Sequence, residues 1–268
     1  MKVLTQENYY EFGNGALTHS KIKDFDTCPN YFYRKHVLNE IEQEEKAQFI
    51  FGGIVDKLLS GEDFEKAYKI VDRKTPALKK EAIAGGYSLL NETEYNEIIE
   101  VASAVEVTDA FKTIMEKASA QAILQSPMEL GEYFDCLAGK PDWFWIDGDT
   151  CYIVDLKTAA TIDKKKYYYT ALGYHYGSQL ANYEYLISLV HPEVTSFKSF
   201  NLAVSKVKEI YAVELFEYPR SLISEQKVWL LDMIDKIKKE TEFKKYNPSF
   251  DYPATLGVWA VDETYQEE

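Results

Sequence analysis

Two aspartates in the middle of the chain, Asp142 and Asp155, have carboxylates that can hold a divalent cation, and Lys157 adds a positive charge close to Asp155. Two carboxylates that lie close together raise each other's pKa unless a cation sits between them. The charges also interrupt Tyr152–Leu156, which is otherwise typical of a buried strand, where a charge is costly unless it is paired or bound to metal. A surface hairpin with an incidental Asp–Lys pair is the alternative interpretation of the same residues.

A β-hairpin is the element that would bring these side chains together. In the stretch Gly139–Thr158, two β-rich runs flank Asp147-Gly148, a dipeptide typical of a tight turn. If this dipeptide is a two-residue loop, Asp142 lies diagonal to Asp155, with roughly 7–8 Å between the backbones. Because side chains alternate along a strand, Asp142, Asp155 and Lys157 are then expected on one face.

The motifs in this region resemble those of the PD-(D/E)xK nuclease superfamily. Pro141-Asp142 supplies the "PD", and Asp155-Leu156-Lys157 follows with the "DxK". Further on, Gln179-x-x-x-Tyr183 resembles the Q-x-x-x-Y helix that follows the catalytic strand in the RecB-like branch. The order and spacing look like phage and prophage exonucleases of the exodeoxyribonuclease VIII (RecE) type.

The element pattern and the resemblance predict an α/β fold, with a central mixed β-sheet flanked by helices and an N-terminal helical elaboration. Residues 1–268 are interpreted as a single nuclease domain, with a helical insert at about 62–126 and an irregular acidic C-terminal tail at about 246–268. The run Met128–Ala138 is expected to form the first strand of the sheet.

The resemblance implies a metal-dependent DNA phosphodiesterase, and in particular a 5′-to-3′ double-strand DNA exonuclease in phage recombination. Asp142 and Asp155 would hold Mg²⁺, with Mn²⁺ able to substitute, and Lys157 would orient a water or stabilise developing charge. Gln179 and Tyr183 would contact a water or a phosphate oxygen. The implied partners are double-stranded DNA ends, a single-strand annealing protein and further copies of the chain.

Two alternatives stay open at this point. The first is another nuclease of the superfamily, with endonuclease or single-strand activity. The second is a non-catalytic phage protein on the same fold that binds a host partner through its acidic surface. Intact Asp142, Asp155 and Lys157 argue against the second.

Two further carboxylates are candidate ligands. Asp56 follows Gly52-Gly53 in an apolar helix, where RecE-like proteins carry a metal-binding histidine, and it could equally lie on a solvated face. Glu132 could be an extra ligand or an outward-facing strand residue. An iron–sulfur cluster is excluded because four thiolates are needed and the chain has only three cysteines.

The formal charge of −14 is unusual for a protein that binds nucleic acid. We interpret it as a small DNA footprint, or as a ring of subunits with its positive groups inside, and note basic clusters at Lys164–Lys166 and Lys236–Lys245. The N-terminus has no long apolar run, and no stretch approaches about 20 consecutive apolar residues. We therefore expect no signal peptide and no membrane contact. The three scattered cysteines fit a reducing cytoplasm, and the resemblance implies a phage or prophage protein in a bacterial host.

Overall fold

The computed structural model describes residues 2–41, 47–61, 68–208 and 210–242. The elements in chain order are β1 (Ala16–Thr18), α1 (His19–Thr27), α2 (Pro29–His36), α3 (Ala47–Leu59), β2 (Tyr68–Ile70), α4 (Pro76–Gly85), β3 (Ser88–Leu90), α5 (Glu92–Glu106), α6 (Asp109–Lys117), β4 (Ser119–Ala120), β5 (Leu124–Pro127), β6 (Cys136–Gly139), β7 (Trp143–Asp147), β8 (Thr150–Ala159), α7 (Lys164–Gly173), α8 (Tyr176–Val190), β9 (Ser196–Ser205), β10 (Val213–Glu217) and α9 (Arg220–Glu242).

The largest sheet has five strands in the order β10-β9-β8-β7-β4. Strands β8 and β9 are parallel along their whole length, from Thr150↔Ser196 to Ala159↔Ser205, whereas the other neighbours are antiparallel. Smaller sheets have the orders β1-β6-β5 and β2-β3. The predicted fold, a mixed sheet with flanking helices, is confirmed.

Strand β8 lies between two hydrophobic cores, which explains its nearly continuous apolar sequence. On one face, Cys151 and Ile153 pack in the core that contains α8 and α9. On the other face, Val154 and Leu156 pack in the core that contains α3, α5 and α6. Because side chains alternate, the residue at position 155 is directed toward the α8 side.

The turn of the central hairpin lies one residue later than predicted. The strands pair as Asp147↔Thr150, so the two-residue loop is Gly148-Asp149 and not Asp147-Gly148. Gly148 has a φ of +63° and stands at the first loop position, which type II′ turns reserve for glycine.

This correction moves the hairpin register by two residues. Because the side-chain period is also two, each residue keeps its predicted face. The last observed pair is Trp143↔Val154. Continued by one residue, the register sets Asp142 directly opposite Asp155, closer than the predicted diagonal arrangement.

Two other segments differ from the sequence-based expectations, and a third is not covered by the described residues. Met128–Ala138 is not one strand: β5 ends at Pro127, β6 begins at Cys136, and the loop between them turns at Gly131, which has a φ of +83°. The expected helical insert contains α4, α5 and α6 but also short strands. The predicted irregular tail, about 246–268, lies outside the described residues.

Within the described ranges, no helix is both long and apolar enough to span a membrane.

Gly139, at the end of β6, should be essential for close packing against α8. A Cβ atom there would lie 2.9 Å from Leu186 Cδ1 and 3.0 Å from Tyr183 Cδ1. Gly139→Ala should therefore lower the free energy of unfolding by about 1–3 kcal/mol, measured by urea denaturation.

Gly53→Ala is the matched control. Gly53 lies within α3, and none of its described neighbours comes within 4 Å of a Cβ atom built there. Alanine should stabilise the helix by up to about 1 kcal/mol. Equal unfolding free energies for Gly139→Ala and the wild type would contradict the packing argument.

Candidate active site

A cavity of about 920 Å³ opens beside the end of β8. Its walls come from the N-terminal residues, α1, α2, α3, the β6–β7 connection, β8 and the start of α8. The cavity is lined by every candidate site residue from the sequence except Glu132: Asp56, Asp142, Asp155, Lys157, Gln179 and Tyr183. Glu132 lies exposed in the loop between β5 and β6.

Asp155 and Lys157 form a close ion pair at the cavity floor. Asp155 is 2 % exposed, and the Lys157 ammonium contacts its Oδ2 atom. Burial alone would lower the pKa of Lys157, but the carboxylates of Asp155 and Asp142 outweigh this effect and the pKa is raised. Lys157 is therefore a cation in this site at neutral pH.

Two side chains on helix α8, those of Gln179 and Tyr183, form hydrogen bonds to this ion pair. Gln179 Oε1 accepts a hydrogen bond from Lys157 Nζ at 3.0 Å, and Gln179 Nε2 donates to the Tyr183 hydroxyl at 2.8 Å. The Tyr183 hydroxyl lies 3.5 Å from Asp155 Oδ1 and 3.1 Å from the Lys140 carbonyl oxygen. Burial, and then the charges of Asp155 and Asp142, raise the pKa of Tyr183 well above its usual value. Its phenol consequently stays neutral.

Asp142 stands just before β7 and reaches across to β8. Its Oδ2 atom accepts a hydrogen bond of 2.6 Å from the Leu156 backbone N–H. Burial of the carboxyl group, followed by the charges of Asp56 and Asp155, raises the pKa of Asp142 well above its usual value. Lys157 and the Leu156 N–H act in the opposite direction without offsetting these effects. The three carboxylates therefore repel one another.

Gln121 is a site residue that the sequence analysis missed. Its Nε2 atom donates to both carboxylate oxygens of Asp56, at 2.8 and 2.9 Å. Its backbone N–H donates to the Asp142 carbonyl at 2.8 Å, and its own carbonyl accepts from Gln6 Nε2 at 2.6 Å. Gln121 is buried and has a φ of +51°, a conformation that is uncommon outside glycine and that often marks functional sites. Because it lies in the expected helical insert, no motif indicated it.

The carboxylates offer the oxygen donors that Mg²⁺ and Mn²⁺ prefer. No group of three or more His, Cys, Asp or Glu side chains among the described residues is already arranged as a metal site. However, Lys157 pairs with Asp155, and its charge does not offset the burial and the repulsion by Asp56 and Asp155 that raise the pKa of Asp142. A divalent cation among these carboxylates would relieve that repulsion. The residues present therefore fit such a cation.

Lysines give the cavity a basic wall in an otherwise acidic protein. Five lysines besides Lys157 line the cavity and are partly buried: Lys21, Lys23, Lys35, Lys140 and Lys206. Burial lowers the pKa of Lys21 to about 8. Of the clusters noted in the sequence, Lys164–Lys166 begin α7, and Lys236 pairs with Asp232 on the exposed face of α9, whereas Lys244 and Lys245 lie outside the described residues.

Comparisons with known proteins agree with this architecture. A family model described as "PDDEXK-like domain of unknown function (DUF3799)" matches residues 18–248. A crystal structure of a "Putative exonuclease" from Eubacterium rectale has a TM-score of 0.67 and 18 % sequence identity, covering 90 % of this chain and 88 % of that chain. At this identity the likeness shows a common fold.

A second solved structure, SSO0001, has a TM-score of 0.33 and 12 % sequence identity, covering 82 % of this chain and 96 % of that chain. This TM-score is too low to indicate a common fold. No curated protein sequence matches the chain significantly.

Asp142→Asn should stabilise the metal-free protein at neutral pH. The carboxyl pKa of Asp142 is higher in the folded state than in the unfolded state, where it is about 4. The stability that this difference contributes is fully present below about pH 4 and is lost as the pH rises through the folded-state pKa. An amide cannot ionise, so the melting temperature at pH 7 should rise, by about 2–4 °C for each kcal/mol of repulsion removed. The difference should shrink as the pH falls toward about 4.

Asp149→Asn is the control for this measurement. Hydrogen bonds from Thr195 and Thr150 lower the pKa of Asp149, so its contribution to stability has the opposite pH dependence. Its replacement should not raise the melting temperature at pH 7. A lower melting temperature for Asp142→Asn than for the wild type would show that repulsion does not dominate at this position.

Gln121→Ala should weaken Mn²⁺ binding by about 10- to 100-fold, because Asp56 loses the amide that orients both of its oxygens. Isothermal titration calorimetry measures the affinity directly, without turnover. Gln125→Ala is the matched control, since Gln125 holds the Leu4 backbone and is not bonded to Asp56. Unchanged Mn²⁺ affinity in Gln121→Ala would show that the Gln121 amide does not position Asp56 for metal binding.

Proposed function

This chain belongs to the PDDEXK-like family DUF3799, and on that premise we propose that it is a metal-dependent deoxyribonuclease that digests double-stranded DNA from its ends, in the 5′-to-3′ direction. The observation that carries the proposal is the convergence of Asp142, Asp155 and Lys157 at the floor of one lysine-lined cavity. These are the positions of the "PD" and "DxK" elements in the sequence.

Asp142 and Asp155 would hold the divalent cation, with Asp56 assisting. When bound, Mg²⁺ or Mn²⁺ supplies polarisation of the scissile phosphate and a lower pKa for a coordinated water. Lys157 places a permanent positive charge beside the same carboxylates, where it can stabilise the charge that develops on the phosphate oxygens. The partly buried setting strengthens this interaction relative to water.

Gln179 and Tyr183 act on the reacting groups through their hydrogen bonds. Gln179 holds the Lys157 ammonium by its carbonyl oxygen and so limits its rotation. Tyr183 keeps its proton, and its hydroxyl can donate to a phosphate oxygen or a water at the cavity floor. Both residues lie on the rigid helix α8, which favours a preorganised site.

The basic wall of the cavity supports DNA as the substrate. A net charge of −14 repels a polyanion at long range, but salt screens this repulsion beyond about 8–10 Å. Close to the site, the partly buried lysines can contact backbone phosphates. We further propose, from the resemblance alone, a role in phage recombination with a single-strand annealing partner and a homo-oligomeric assembly.

End-directed cleavage is tested by comparing linear duplex DNA with covalently closed circular duplex DNA at saturating Mg²⁺. The linear substrate should be degraded, and the circle should persist because it offers no end. Label released first from the 5′ terminus would support the proposed polarity. Cleavage of the circle would favour an endonuclease instead.

Asp155→Asn is the paired variant in the same assay. It should abolish cleavage while the circular dichroism spectrum stays that of the wild type, because the amide removes a ligand charge without changing the side chain's shape. Digestion at the wild-type rate would overturn the metal assignment. A wild-type protein that binds DNA and never cuts it with Mg²⁺ or Mn²⁺ would support a non-catalytic binding protein.

A further inference from the structure

The N-terminal arm, defined as residues 2–15, forms one wall of the active-site cavity and precedes the segment matched by the family model. The arm has a defined path. Asn14 is 2 % exposed and donates its side-chain amide to the Tyr9 carbonyl at 2.7 Å. Leu4 is buried, and the Gln6 side-chain amide donates to the Gln121 carbonyl. Gln121 in turn donates its side-chain amide to Asp56 and its backbone N–H to the Asp142 carbonyl. The arm is thereby linked to the carboxylate cluster through Gln121.

Two aromatic rings of this arm face the cavity rather than the core. Tyr10 is 79 % exposed and Phe12 is 53 % exposed, and both line the cavity. Tyr9, beside them, is 8 % exposed and packs in a core cluster with Leu4. The Tyr10 ring meets Tyr9 edge-on, with 4.9 Å between the ring centroids. Even so, both Tyr10 and Phe12 keep more than half of their surface exposed at the cavity.

The surroundings of these rings combine apolar surface with positive charge. Lys140 Nζ lies 5.8 Å from the centroid of the Tyr10 ring, and the Lys140 backbone carbonyl lies 3.1 Å from the Tyr183 hydroxyl. Exposed rings beside a basic groove are the features by which proteins hold single-stranded nucleic acid: the bases stack and the lysines contact phosphates.

We propose that Tyr10 and Phe12 form a stacking site for unpaired bases of a DNA strand whose phosphates pass the lysines of the cavity. This inference rests on the proposed nuclease function and adds how the strand is positioned at the carboxylates. Stacking accepts any base, because every base has a π-face. The site therefore favours a frayed or single-stranded terminus over a fully paired one, without sequence preference.

The test is a binding cycle in Ca²⁺ with two duplexes, one ending in a short single-stranded overhang and the other in the same overhang made of abasic nucleotides. The wild type should bind the natural overhang about tenfold more tightly than the abasic one. Tyr10→Ala and Phe12→Ala should each reduce this preference, and the double variant should bind both duplexes equally. Tyr10→Phe should retain the preference, because it keeps the ring.

Tyr133→Ala is the matched control, since Tyr133 is also exposed but lies on the loop between β5 and β6, away from the cavity lining. It should leave the preference unchanged. Melting temperatures of all variants establish that each is folded, and Phe12→Ala gives an answer independent of the contact between Tyr10 and Tyr9.

Each outcome decides between the two proposals. A wild-type protein with equal affinity for both duplexes overturns the stacking site, even if it cleaves DNA in Mg²⁺. An equal loss in Tyr133→Ala also overturns it, because position in the cavity would then be irrelevant. A preference that depends on Tyr10 and Phe12 supports the stacking site even where no metal allows cleavage, and in that case only the nuclease proposal fails.

Discussion

The ion pair between Asp155 and Lys157 on β8 is the interaction on which the rest of the site depends. Both charges stand on the same face of a strand whose neighbours are apolar, so neither has full access to water. Removing one partner of such a pair leaves an uncompensated charge and typically costs about 3–5 kcal/mol. The hydrogen bond from Lys157 to Gln179 and the neutral hydroxyl of Tyr183 surround the pair with polar groups. The position of α8 over β8 is therefore both a packing and an electrostatic requirement.

With Asp142 and Asp56 included, the site holds more negative charge than the Lys157 ammonium can balance. Three carboxylates converge on one close ammonium group, and their repulsion raises the pKa of Asp142. A site of this kind loses stability in the absence of a further cation and gains it when one binds. Gln121 holds Asp56 in place against that repulsion, through a backbone conformation that few residues other than glycine adopt. Strain and repulsion at the same point are typical of functional sites.

The distribution of charge explains how a chain with a net charge of −14 can act on a polyanion. The five partly buried lysines that line the cavity with Lys157 come from four parts of the chain and are brought together by the fold. Two of them lie on α1. The other three lie on α2, in the β6–β7 connection and just after β9, and these three are far apart in the sequence. The lysines of the visible runs that the structure describes lie at helix surfaces outside the cavity. Pairing with an acid does not distinguish the two sets, because Asp24 pairs with Lys35 just as Asp232 pairs with Lys236.

The amino-acid sequence by itself predicted the fold class, through its element pattern and its resemblance to a known family, and the central cluster, through the alternation of side chains along the hairpin. Alternation along the hairpin set Asp142, Asp155 and Lys157 on one face even though the turn was misplaced, since an error of two residues preserves the faces. Helical spacing likewise brought Gln179 and Tyr183 to one side of α8. Only the tertiary structure placed Gln121, the cavity lysines and the arm residues Tyr10 and Phe12 at the site. Their roles depend on contacts between segments far apart in the chain, and such contacts leave no period or spacing in the sequence from which they could be predicted.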